Sequence, residues 1–131
     1  MSREAFQYAL VRVVPRLDRG EFVNVGVIVF ARTLGYLAAR IELDETRLAA
    51  VAPDLEPSEL RPHLETLVRV AAGDPGAGPI AALPPSERFH WLTAPSSTVI
   101  QTSPVHTGLC DDPERMIEHL TATLVRAPVK R

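Results

Sequence analysis

Cysteine is almost missing: Cys110 is the only one in 131 residues. A single thiol closes no internal disulfide and builds no multi-cysteine zinc site, so the chain reads as a product of a reducing compartment. Lysine is equally scarce. Lys130 stands against thirteen arginines, which with the abundant alanine suggests a high-GC bacterial genome and says nothing of mechanism. Long apolar runs are lacking too. Residues 23–31 reach only about half the length of a membrane helix and contain Asn24 and Gly26, so no membrane contact is expected. Residues 1–4 lead straight into an amphipathic stretch without the features of a secretion signal, and the expected location is the cytoplasm. Phosphate loops are absent: Gly73, Gly76 and Gly78 sit in a proline-rich stretch with no following Lys-Ser/Thr. Glu59 and His63 form a lone i, i+4 pair, while His90, His106 and His119 are scattered, which gives no zinc spacing. No metal and no cofactor is expected, and no internal repeat marks a solenoid.

What is present is an ordinary globular composition. Apolar residues make up 46% and charged residues 23%, close to the average for soluble domains. A single domain over residues 1–131 buries roughly two-thirds of its unfolded surface, enough for a hydrophobic core. Fourteen basic against 16 acidic residues leave a formal net charge of −2. The arginines come in ones and twos, so bulk nucleic-acid binding is disfavoured; a local contact would run through Arg12, Arg16 and Arg19.

Proline divides the chain. Of 12 prolines only Pro15 precedes residue 53, so the first third is free to build strand ladders. Residues 6–14 and 22–31 are rich in aromatic and β-branched types and are joined by a loop at 15–20, which predicts a hairpin. Residues 35–43 alternate Leu37, Ala39, Ile41 and Leu43 against Tyr36, Ala38, Arg40 and Glu42, which predicts a third strand with one wet face. The short connections favour an antiparallel meander. Asp44 then caps a short helix through Val51, and Pro57 opens a longer one ending near Gly73, with Leu60, Leu64, Leu67, Val68 and Ala71 as its apolar stripe. Pro62 leaves the start of that helix open. Residues 74–85 read as a mobile surface excursion around a helical turn at 80–83. Ser86 caps a helix through Thr93, and residues 98–102 form a fourth strand. Asp112 and Pro113 start a last helix whose Met116, Ile117, Leu120 and Leu124 share one face. The expected fold is α+β: an antiparallel sheet of about four strands, a three-strand meander plus one later strand, with three to four helices packed on it.

Two segments place polar chemistry inside apolar surroundings. In the first, Glu21, Asn24 and Gly26 interrupt a hydrophobic strand on which Phe22, Asn24, Gly26, Ile28 and Phe30 share a side. Asn24 then needs partners. It either meets a ligand, with Gly26 allowing close approach and Glu21 supplying charge, or ties down the 15–20 loop while Glu21 pairs with Arg16 or Arg19. The second segment joins Arg88 to the Ser103–His106–Gly108 stretch, where His106 suits proton transfer and Arg88 suits an anion. Ser103 and His106 are near in sequence, but no Gly-x-Ser-x-Gly elbow is present. Cys110 precedes a helix, which favours the thiolate, while Asp111 and Asp112 oppose it, so it reads as a packing residue.

Residues 8–15, the Glu21-x-x-Asn24-x-Gly26 segment, Arg88-Phe89, residues 98–101 and the run from Ser103-Pro104 to His106 and Gly108 resemble DUF3037, a bacterial family of unknown function. The resemblance spans nearly the whole chain. It implies a small cytoplasmic protein whose relatives are often encoded beside a HipA-like kinase, and so an accessory or regulatory partner. The leading expectation is a binding module with a polar site at Glu21, Asn24, Gly26, Arg88 and His106. The alternative is a small hydrolase or transferase for a phosphorylated or nucleotide-like substrate, with His106 as acid or base beside Ser103. An exposed sheet edge also offers a route to a homodimer.

Overall fold

The computed structural model describes residues 3–96 and 98–128. Met1 and Ser2, which open the stretch read as leading into a strand, lie outside the described residues.

The first two apolar runs are β1 (Glu4–Val13) and β2 (Val23–Ala31), paired antiparallel, and β3 (Tyr36–Ile41) returns along β2. This is the expected meander. The chain leaves the sheet as α1 (Glu45–Val51), α2 (Pro57–Ala72) and α3 (Pro85–Leu92). It comes back as two short strands, β4 (Ile100–Thr102) and β5 (His106–Cys110), both antiparallel to the free side of β1. Thus the fold is α+β, with five strands among the described residues, and the residues expected as a loop at 106–108 belong to an edge strand. That strand exists because β1 offers an open side: Gly108 faces Phe6 so closely that a Cβ there would lie 2.7 Å from the Phe6 ring.

Both sheet faces are covered. On the first, α1, α2 and α3 bury Leu48, Leu60, Leu64 and Phe89 against Val11, Val13, Val23, Val25, Ile28 and Phe30. On the second, α4 (Pro113–Leu120) and a π-turn at Thr121–Val125 bury Ile117, Leu120 and Val125 against Phe6, Leu10, Val27 and Val29. The predicted wet face of β3 is accordingly half-buried at Tyr36 and Ala38, which pack on the second core, while Arg40 pairs with Glu118.

A β-bulge corrects the predicted facing of β2. Val11 pairs with Gly26 but Arg12 pairs with Asn24, so Val25 is the extra residue and the alternation changes phase there. Val23 and Val25 therefore join Ile28 and Phe30 in one core; Gly26, Ile28 and Phe30 share a side as expected, but Asn24, across from Arg12, and Phe22, stacked on Arg12, lie on the other.

The helix starts follow side-chain caps and prolines. The Asp44 carboxylate accepts from the Thr46 and Arg47 N–H groups, and Asp112 accepts from Glu114 and Arg115, as expected. α2 begins at Pro57 and runs through Pro62. α3 begins at Pro85 rather than under a Ser86 cap, because proline at a first-turn position lacks only an N–H that would have been unpaired. At the C-terminal end the π-turn shifts the pattern by one residue, so Val125 is buried where Leu124 was expected. Residues 74–85 form two 3-10 turns: Asp74 accepts from Gly76 N–H and pairs with Arg69, and Ala81 is buried. Among the described residues no helix is long and apolar enough to cross a membrane.

Candidate functional site

The five residues expected to form one site lie in separate places. Glu21, at the end of the loop before β2, pairs with Arg19, the ordinary role weighed for it. Gly26 permits strand packing: a Cβ there would lie 2.6 Å from the Arg40 carbonyl and against the Ile41 side chain. Arg88 is on α3, on the first face of the sheet, with its Nη1 3.5 Å from the Ala81 carbonyl and its Nε buried without a partner. It links α3 to the 3-10 turn that carries Ala81. Asn24 and His106 both flank β1, but Asn24 lies across from Arg12 and His106 across from Tyr8 on the other side. Four residues along one strand and two strand spacings put them about 16 Å apart. No small ligand spans these positions together.

The pair proposed for nucleophilic chemistry also comes apart. Ser103 is 3% exposed, and its hydroxyl accepts from Leu10 N–H at 2.8 Å and donates to the Pro104 carbonyl at 2.9 Å. Its own N–H donates to the Leu10 carbonyl at 2.8 Å. Ser103 therefore clasps the broken edge between β4 and β5, standing in for a ladder residue where Pro104 supplies no N–H. Cys110 is buried, and burial followed by the Asp111 and Asp112 charges pushes its thiol pKa up, away from a thiolate nucleophile. Among the described residues no group of three metal-ligating side chains converges.

Two regions do gather binding chemistry. The first is the β5 edge. Among the described residues β5 pairs with β1 alone, so its outer peptide groups meet no other strand there. Residues 105–110 carry no acid, no lysine, no arginine and no proline, the features that normally guard an edge. Leu109 is 60% exposed, Val105 and His106 are exposed beside it, and the His106 ring lies 5.2 Å from that of Tyr8. The opposite edge differs: β3 is half-buried throughout and carries the ion-paired Arg40.

The second region is the far end of the same sheet face. Arg12 lies across from Asn24 on β2 and from Gln101 on β4. Its guanidinium carbon sits 4.1 Å from the centroid of the exposed Phe22 ring. The Asn24 Nδ2 donates to the Leu124 carbonyl at 3.1 Å, which fixes the amide, since a flip would set two acceptors together. Among the described residues neither Asn24 Oδ1 nor Arg12 Nε finds a hydrogen-bond partner, and both atoms are buried. Sequence reading named Arg12 only as a possible phosphate contact. The available signal was its position in β1, where Phe6, Tyr8, Leu10 and Arg12 alternate onto one face.

A groove of about 710 Å³ also opens on the first face between α2, the α3–β4 connection and β4, lined by Leu60, Leu67, Leu92 and Ile100 with His63 and Trp91 at its sides. The lone Glu59–His63 pair lies along this groove.

Among curated proteins and solved structures, none matches this chain. The family model described as "Protein of unknown function (DUF3037)" matches residues 8–125, most of the chain, and the protein belongs to that family.

Proposed function

We propose that the protein is a non-enzymatic accessory module that binds a protein partner by adding a partner strand to the β5 edge. The observation that supports this most is the contrast between the two sheet edges: β3 is charged and sheltered, whereas β5 is uncharged and presents Leu109 and Val105 to solvent. Strand addition draws affinity from backbone hydrogen bonds and specificity from alternate side-chain contacts, here Leu109 and Thr107 on one face and His106 on the other. The hydrolase or transferase reading has less support, since Glu21, Arg88, Ser103 and His106 do not converge and the Ser103 hydroxyl is already engaged.

The family resemblance makes a HipA-like kinase the first partner to test. Co-expression followed by size-exclusion chromatography is expected to give one co-eluting complex, lost in Leu109→Lys, which adds a charge to the edge without touching the core. Two separate peaks at micromolar concentration would remove the kinase as partner. A complex retained by Leu109→Lys would remove β5 as its surface.

A further inference from the structure

We propose that Arg12, Asn24 and Phe22 form a binding site for the carboxylate end of a peptide. Among the described residues six arginines pair with carboxylates: Arg16, Arg19, Arg40, Arg61, Arg69 and Arg126. Among the described residues Arg12 has no such partner; it is held instead by the Phe22 ring, with only Nε both buried and unbonded. A stacked guanidinium has already lost much of the freedom that binding would otherwise have to remove. Its Nε–Nη edge suits a planar anionic acceptor in a two-point contact.

Asn24 narrows the ligand class. Its unpaired Oδ1 asks for a donor, and a bare anion on Arg12 would set negative charge beside that oxygen. The last residue of a peptide carries both complements on one carbon, a carboxylate for Arg12 and an amide N–H for Asn24. Arg12 and Asn24 are directly opposed across the β1–β2 ladder, within a few ångströms, which is the reach such a residue has. Phe22 supplies an apolar wall for its side chain. Phe22 stands just before Val23, the first paired residue of β2, so its ring can adjust to the ligand without breaking a ladder bond. The site lies about 13 Å along β1 from the Tyr8–His106 pair and does not rest on strand addition at β5.

The test is a titration of the ¹⁵N-labelled full chain with N-acetyl-L-phenylalanine, following the Arg12 Nε–H and Asn24 side-chain amide resonances. N-acetyl-L-phenylalaninamide and inorganic phosphate are the comparison probes. Saturating shifts of both resonances are expected with the acid, at least about tenfold weaker binding of the other two, and an about tenfold loss in Arg12→Lys with an unchanged melting temperature. Equal binding of phosphate, equal binding of the amide, full affinity in Arg12→Lys, or no saturating shift with the acid would each overturn the assignment.

Discussion

At the scale of single residues, polar groups inside this sheet sort into those that are satisfied and those that are not. Ser103 is satisfied three ways and holds the edge together. Ser103→Ala leaves the buried Leu10 N–H without its acceptor and is expected to cost about 1–3 kcal/mol in urea unfolding; an unchanged midpoint would show that the clasp is dispensable. Asn24 is the opposite case. Replacing it by leucine removes one hydrogen bond to Leu124 but also an orphaned oxygen, so stability is expected to stay within about 1 kcal/mol. A much larger loss would mean that the amide is there for the fold alone. The buried, raised thiol of Cys110 is expected to react with a disulfide reagent near neutral pH only as fast as the α4 face opens. Rapid labelling of the native chain would contradict that burial. Of these roles, sequence reading reached the packing cysteine and the polar anomaly at Asn24. It missed the clasp, because hydroxyl next to proline says nothing of a backbone 93 positions away.

At the scale of elements, what is local was legible and what depends on register was not. Asp44 and Asp112 announce helix starts because a carboxylate two or three residues ahead of unpaired N–H groups has one obvious use. The bulge at Val25 has no such signature, and it puts Asn24 on the opposite face from Gly26, where the simple alternation implied a shared one. β5 was hidden for a related reason: a five-residue strand becomes one only when β1 has a free side to receive it. The π-turn at Thr121–Val125 shows tertiary control again. Its late carbonyls are taken by side chains from elsewhere, Leu124 by Asn24 and Val125 by Arg47 at 2.6 Å. Arg47→Ala should therefore raise amide hydrogen exchange in residues 121–126 while leaving β1 and β2 protected. Equal protection in the variant would remove Arg47 as an anchor.

At the scale of the whole molecule, β1 and β2 sit between two cores, so loss of either helical layer exposes the same strands. The C-terminal layer is also tied to the sheet by ions: Arg126 bonds Glu42 at 2.7 Å and Glu118 at 2.9 Å. The hydrogen bond from Arg126 holds the Glu42 carboxyl below its usual range. Because the folded-state pKa is depressed, this contribution is present above the unfolded carboxylate pKa and is lost as pH falls through the lower folded value. Thermal unfolding at low salt should show the C-terminal layer weakening first below the ordinary glutamate range, with a smaller effect at high salt, where exposed pairs are screened. The layered α+β plan was readable from period and proline placement. The convergence of a site was not, since the five chosen residues occupy both faces, a loop and an edge. The most direct test of the central claim is purification of the tagged protein from its native cells, wild type beside Leu109→Lys, with hydrogen exchange on the recovered complex. The account predicts a stoichiometric protein partner that protects the β5 amides and is absent from the variant. A partner held equally by both proteins, or β5 amides that exchange freely in the complex, would contradict it.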